Sequence, residues 1–432
     1  MARILVFGAG FVAEPLVEYL MRRDDNRITV ASEFLADAER IAGRFAGVTA
    51  TSANVTDANS IAPLIAAHDL VVSLVPATLH LTIAETCVSL GKHLVTASYE
   101  SPAMAALDEK AREQGVILLN EIGLDPGIDH LGAKDIIDRV QEEGGKVRSF
   151  VSWCGGLPAP EANDNPLGYK FAWAPRGVLL ALQNEAVFLR DDKAVRLSPG
   201  QLLDSAEPVE VGELQLEGYA NRNSLGYQQS YEIPEARTIL RGTLRYRGFC
   251  DILQAARKLG LLELDGAGSG QASSWNDYLL ALHGFESHEQ AREQLGISEA
   301  AFAALDWLGC FSDLPVAPAP GPLDSFCELL KTRLAYQPGE RDMVVLQHQF
   351  GIEPASGESY QLEASLVACG EPDGYSAMAK TVGYPAAMAA QLICDGVIRE
   401  RGVVLPFSKE IYRPLLDLLA NEGIAFSETR SD

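Results

Sequence analysis

Two short stretches carry residue types whose spacing suits chemistry. The first is "ILVFGAGFVAEPLVEYL" at residues 4–20, which sets Gly8-x-Gly10-x-x-Ala13 directly after an apolar run and at the head of a helical one. Glycines at those positions permit a tight turn, so that the backbone through Phe11, Val12 and Ala13 approaches a pyrophosphate whose charge the helix N-terminus stabilises. The predicted ligand is a dinucleotide. Glu33 in "ITVASEF" lies about 20 residues beyond the glycines, where a carboxylate accepts hydrogen bonds from the adenosine ribose and repels a 2′-phosphate. With Ser32 beside it, Glu33 favours NAD over NADP; the alternative is a solvent-facing Glu33 with Ser32 capping the next helix. The second stretch is "GLDPGIDH" at 123–130, two aspartates and a histidine around a proline and two glycines. Such a set suits a metal site, a tight turn or the floor of a substrate pocket. Asp-Pro-Gly favours a turn that presents Asp125 from a strand end, and strand ends line the ligand crevice of an open parallel sheet. His130 reads as a helix-start or packing residue.

The elements that must position these groups follow from the hydrophobic pattern. Over the first 120 residues short β-branched runs ("RILVFG", "ITVAS", "DLVVSLV", "HLVTAS", "VILLNE") alternate with amphipathic stretches ("FVAEPLVEYLMRR", "ADAERIAGRF", "LTIAETCVSLG", "AMAALDEKAREQG"). That rhythm predicts an α/β fold with a parallel sheet covered by helices on both faces. A boundary is expected near residue 126, and from "KVRSFVSWCGG" the texture changes to that of a second α/β domain, expected over 127–249 and 337–373. A helical insert is expected over 250–336, with "DGAGSGQASS" at 265–274 as a mobile loop and "PVAPAPGP" as a connector. The segment 374–432 is expected to return to the first domain.

A chain of 432 residues with 47% hydrophobic content has room for two or three cores. A formal charge of -24 disfavours nucleic acid and anionic membrane as partners and leaves small-molecule chemistry. No apolar run approaches the roughly 20 residues that span a bilayer, and "MARILVFGAGF" reads as a strand and turn rather than a leader, so a cytoplasmic protein is expected. Seven scattered cysteines include no C-x-x-C pair, which points to buried, reduced thiols. A homodimer is the default assembly.

The block "SWCGGLPAPEANDNPLGYKFAWAPRGVLLALQN" at 152–184 is too rich in glycine, proline and asparagine for an ordinary core element. Together with "ASYESPAM" at 97–104, "NEIGLDPGIDHL" at 120–131, "RGTLRYRGF" at 241–249, "ERDMVVLQH" at 340–348 and "DGYSAMAKTVGYPAA" at 373–387, it closely resembles the saccharopine reductase family, the glutamate-forming saccharopine dehydrogenases. The resemblance implies a variant Rossmann dinucleotide-binding domain, an α/β substrate domain and a small helical domain. It also implies NAD(P)-dependent oxidation of saccharopine to glutamate and 2-aminoadipate semialdehyde, or the reverse condensation, in lysine metabolism. No metal is implied, because hydride transfer to nicotinamide requires none.

Carried over residue by residue, the resemblance makes Arg222 and Arg245 the substrate-carboxylate positions, with Thr243 and Leu244 beside Arg245. It makes Asp125, Ser98 and Tyr99 substrate contacts. Acid/base chemistry falls to Asp125, Tyr99 or Cys154, each by residue type and family position together; a buried inert thiol is the alternative for Cys154. Cofactor contacts are implied at Asn54 and Val55, at Val75 and Pro76 in "SLVPAT", and at Trp173 as a wall beside nicotinamide. Two departures stand out: Glu33 occupies the place of an arginine carried by NADP-using members, and Asn54 the place of an aspartate. The competing readings are a related carboxynorspermidine or carboxyspermidine dehydrogenase and a non-catalytic dinucleotide sensor. The 152–184 block and the paired arginine motifs favour saccharopine over the first, and intact Asp125, Tyr99, Arg222 and Arg245 weigh against the second.

Overall fold

The five β-branched runs of the first 120 residues form the strands β1 (Arg3–Phe7), β2 (Arg27–Ser32), β4 (Leu70–Ser73), β5 (His93–Thr96) and β6 (Ile117–Leu119), and the structure adds β3 (Val48–Ser52), which the pattern does not show. With the late strand Gly402–Val404 they build a sheet in the order Gly402–Val404, β6, β5, β4, β1, β2, β3, and each pairing is parallel. The order reverses between β1 and β4, and at such a switch point the loops leaving the strands' carboxyl ends diverge and open a ligand crevice. β4 is buried throughout, as a strand covered on both faces must be.

The computed structural model describes residues 2–265 and 272–431; most of the loop expected at 265–274 lies outside them. The chain divides into two units, the first being Met1–Lys146, Pro354–Gly357 and Tyr375–Glu428, and the second Val147–Glu353, Glu358–Gly374 and Thr429–Asp432. The first unit thus runs to Lys146 rather than ending near residue 126. The cause is the helix Ile128–Glu142, which belongs to it: a Cβ at Gly132 would collide with the ring of Phe426, and Tyr412 on the helix Lys409–Asn421 donates to Asp138 at 2.6 Å. The late segment also contributes the helix Ala377–Cys394, capped by Ser376. It lies so close to the helix Ala13–Met21 that a Cβ at Gly383 would come within 2.7 Å of the Val12 carbonyl.

The second unit is built on β7 (Lys146–Pro158), β8 (Ala186–Arg190), β9 (Lys193–Leu197), β10 (Glu207–Val211), β11 (Leu214–Ala220), β12 (Thr238–Tyr246), β13 (Asp342–Glu353) and β14 (Tyr360–Cys369). Its sheet runs β10, β11, β12, β7, β13, β14 and a last strand, Ser427–Ser431, with β8 and β9 joined through β12, so the end of the segment expected to return to the first domain belongs to this sheet instead. The helices Phe249–Lys258, Trp275–His283, Glu299–Leu308 and Pro322–Arg333 are not a separate unit. Their Leu253, Trp275, Leu305 and Phe326 share one core with Trp153 and Leu244 of the sheet, so the expected insert and substrate domain fold as one body. Among the described residues no helix is long and apolar enough to cross a membrane.

Candidate active site

β1 ends at Phe7, and Gly8 follows with φ 103°, a conformation that favours glycine. Its N–H donates to the Ala31 carbonyl at 2.9 Å, and an added Cβ would lie 3.0 Å from the Leu74 carbonyl. An added Cβ at Gly10 would meet nothing within 4 Å, so the backbone there is open to a close approach. The helix Ala13–Met21 begins at Val12 with no side-chain cap, which aims its first N–H groups at the turn with their partial positive charge. These residues fit a pyrophosphate. Phe11 is 76% exposed at the same turn. Glu14, buried in the first helical turn, pairs with Arg40 at 3.2 Å and with Arg44, and Arg40 also donates to the Ala9 carbonyl at 3.2 Å.

Glu33 is exposed just beyond β2. Ser32 does not cap the helix Leu35–Ala42, whose N-cap is Phe34 without a side-chain bond. Asn54 turns its amide oxygen to the N–H and hydroxyl of Thr56, at 3.0 and 2.7 Å, and so shapes the loop after β3. Val55 and Val75 pack against the core of the first unit, while Pro76 is exposed.

The turn at 123–127 is tight: Gly123 N–H donates to the Pro126 carbonyl and Ile128 N–H to the Gly123 carbonyl, at 3.0 and 2.9 Å. The Asp125–Pro126 bond is cis. From Val116 to Lys134 every residue is buried except Asp125, so the turn exposes one carboxylate from an otherwise enclosed segment. Tyr99 donates to Asp125 Oδ1 at 2.8 Å. Behind that pair the loop after β5 is laced to the strand end after β6. Ile122 N–H donates to the Thr96 carbonyl and Glu121 N–H to the Ser98 carbonyl, and the Glu121 carboxylate accepts from Glu100 N–H at 3.0 Å. His130 is wholly buried, with Nε2 2.7 Å from Glu121 Oε2; it is an anchor at the helix start, as expected. Burial and the nearby charges of Glu121 and Asp108 raise the pKa of Glu100.

Sequence reasoning missed Glu121 and also His80, whose imidazole bonds to Ser73 and Ser98, both at 2.8 Å. A lone histidine in "PATLH" has no spacing that would mark it.

In the second unit Arg245 comes from β12, is 6% exposed and is ringed by Tyr169, Phe249 and Tyr219, their centroids 5.0, 5.2 and 5.9 Å from the guanidinium carbon. It donates to the Leu244 carbonyl at 2.7 Å, and its Nε has no hydrogen-bond partner. Among the described residues no carboxylate pairs with it. A buried cation without a counter-charge is costly, and here the three aromatic faces offset part of that cost while leaving the guanidinium able to balance an anion. Thr243, two residues back on the same face of the strand, is half-buried opposite Tyr219. Leu244 points the other way into the core, which leaves only its backbone for a ligand. Cys154 on β7 pairs in register with Thr243 and is buried, within electrostatic reach of Arg245. Trp173, 37% exposed, lies over Gly177, where an added Cβ would meet its ring. Arg222 follows β11 with φ 54°, its carbonyl held by Val187 N–H at 2.8 Å. Arg241, also unforeseen, is buried and stacks on Tyr227. Among the described residues no group of three or more potential metal ligands gathers.

Residues 4–119 match the model of the saccharopine dehydrogenase NADP binding domain, and residues 123–424 that of the saccharopine dehydrogenase C-terminal domain. The chain belongs to the saccharopine dehydrogenase family. It is 42% identical to the saccharopine dehydrogenase (NADP(+), L-glutamate-forming) of Schizosaccharomyces pombe, over 99% of each chain. It is 40% identical to the mitochondrial alpha-aminoadipic semialdehyde synthase of Bos taurus, over 98% of this chain and 47% of that one. The solved apo saccharopine dehydrogenase (L-Glu forming) of Saccharomyces cerevisiae superposes with a TM-score of 0.93 at 40% identity, covering all of both chains. As a saccharopine dehydrogenase family member, the chain takes a nicotinamide dinucleotide cofactor. The matched domain model and the fungal relative carry NADP in their names, so the NAD preference expected from Glu33 has no counterpart in them.

Proposed function

We propose that this protein oxidises saccharopine to L-glutamate and 2-aminoadipate 6-semialdehyde with a nicotinamide dinucleotide, and catalyses the reverse reductive condensation. The observation that carries this reading is Arg245, a buried guanidinium that forms no ion pair with any carboxylate among the described residues. Saccharopine carries three carboxylates, and a guanidinium fork held against three aromatic faces is suited to bidentate pairing with one of them. Arg222 takes a second. The family match supports the choice of saccharopine over a polyamine-type substrate and over a dinucleotide sensor.

When bound, the oxidised nicotinamide accepts a hydride from the lysine-derived carbon of saccharopine. The secondary amine must be neutral for that carbon to release it. Asp125 stabilises the resulting iminium by its charge, and the hydrogen bond from Tyr99 fixes the carboxylate's orientation. Water then adds to the iminium carbon and the carbinolamine collapses, its C–N bond breaking as the nitrogen is protonated, to give glutamate and the semialdehyde. Tyr99 or Cys154 relays that proton. Val75 and Pro76 of the 74–76 loop would line the nicotinamide end of the dinucleotide when it is bound.

Glu33 shifts cofactor preference toward NAD within this family. Its support is the exposed carboxylate just past β2, where an adenosine ribose is expected to lie.

The test is absorbance at the reduced-nicotinamide band with saccharopine plus NAD and, separately, plus NADP, with both products identified. Glutamate and semialdehyde in equal amounts are expected. Folded protein without turnover on either cofactor overturns the reading and brings the polyamine-type dehydrogenases forward.

A further inference from the structure

β4 and β5 are neighbours in the first sheet, and both end in buried hydroxyls, Ser73 and Thr96. His80, the first residue of the helix His80–Ser89, is 5% exposed and reaches both strand ends. Its Nδ1 lies 2.8 Å from Ser73 Oγ, and its Nε2 lies 2.8 Å from Ser98 Oγ and 3.2 Å from Thr96 Oγ1. Ser98 N–H in turn donates to Thr96 Oγ1 at 3.3 Å. One ring therefore ties the start of the 74–76 loop to the residue that precedes Tyr99.

Burial lowers the pKa of His80 to about 4, so the ring is neutral under ordinary conditions and offers one N–H and one lone pair. Ser73 is consequently coupled to the hydroxyl that bonds Nε2, and of the two near it Ser98 at 2.8 Å is closer than Thr96 at 3.2 Å. If Nδ1–H donates to Ser73, Nε2 accepts, and a Ser98 hydroxyl that donates to it presents only lone pairs outward. If Ser73 donates to Nδ1, Nε2–H donates to Ser98, whose own proton is then available to a ligand. An apolar residue in this place would leave Ser98 free to rotate.

We propose that His80 is a positioning residue for the dehydrogenase reaction: it holds the Ser98 hydroxyl in one orientation and so sets the polarity that Ser98 presents to the bound ligand. This rests on the reading of Ser98 as a substrate contact. His80 touches neither substrate nor cofactor in this assignment and acts through Ser98 alone.

The test is a double-mutant cycle on kcat/KM for saccharopine, with the dissociation constant of the reduced cofactor measured alongside and folding checked by thermal melts. Ser98→Ala and His80→Phe are each expected to lower kcat/KM by about 10-fold, and the double variant by no more than the worse single one, because coupled residues are not additive. Cofactor affinity is expected to stay within about 3-fold. Glutamine places an amide nitrogen near the position of Nε2 and asparagine near that of Nδ1, so His80→Gln should retain most activity and His80→Asn should resemble His80→Phe. A double variant that loses the product of both effects overturns the inference, as does equal loss in His80→Gln and His80→Asn. If Ser98→Ala is impaired and His80→Phe is not, the inference fails and Ser98 keeps its role. Full activity in Ser98→Ala overturns the reading of Ser98 itself and the inference with it.

Discussion

Tyr99 donates a hydrogen bond to Asp125 at 2.8 Å, joining the loop after β5 to the turn after β6 across 26 residues of sequence. Both side chains are partly exposed while the segment behind Asp125 is enclosed. The bond therefore orients the one carboxylate of this segment that is not buried. Hydrogen bonds to charged groups contribute about 1.5–3 kcal/mol, less where water competes, so Tyr99→Phe should lower kcat/KM for saccharopine roughly 10-fold. Asp125→Asn, which removes the charge as well, should cost more. Steady-state kinetics on the two variants decide it, and an Asp125→Asn enzyme as fast as the wild type would remove Asp125 from the mechanism.

Arg245 should fail as lysine as well as alanine. Its fork is held by packing against Tyr169, Tyr219 and Phe249, and an ammonium on a flexible stem reproduces neither the stacking nor bidentate pairing. Arg245→Lys and Arg245→Ala are expected to lose about 100-fold or more in saccharopine kcat/KM, while dinucleotide affinity by fluorescence titration moves about 3-fold or less. Parallel loss of both quantities would place Arg245 in folding rather than in substrate recognition.

Glu33→Arg replaces a carboxylate that repels a 2′-phosphate with a group that pairs with one. The ratio of kcat/KM for NADP to that for NAD should rise by about 10-fold or more, the size of a single charge-assisted contact. An unchanged ratio would mean that Glu33 does not face the ribose.

Acid should destabilise the fold through His80. The buried ring has a pKa of about 4 against 6.5 for an ordinary histidine, so between those values the unfolded chain binds the proton more readily. Stability from this group is complete above pH 6.5 and falls with pH, by about 2 kcal/mol between pH 7 and pH 5. His93, also lowered by burial, acts in the same direction. Urea titrations at the two pH values should therefore show a smaller pH effect in His80→Gln than in the wild type. Identical pH effects in the two proteins would show that His80 is already protonated, or equally exposed, in the fold.

Much of this protein is determined within short windows of its sequence. The β-branched runs and the amphipathic stretches between them specify the first parallel sheet, because side-chain period is a local property. Gly8 needs its left-handed conformation at the end of β1, and Asp-Pro-Gly makes a turn wherever it is placed, so the glycine turn and Asp125 were legible from neighbours alone. Long motifs named the family for the same reason.

Tertiary structure decided what depends on which strands lie side by side. Only the adjacency of β4 and β5 brings Ser73, His80 and Ser98 onto one ring, and only the lacing of two loops makes Glu121 a partner of Glu100. That the helix Ile128–Glu142 belongs to the first unit follows from its packing against a segment nearly 300 residues later. Arg245 reads in the sequence as one arginine among several. Its meaning lies in its surroundings: among the described residues no carboxylate forms an ion pair with this buried cation, which is a property of the assembled neighbourhood and of no stretch of chain.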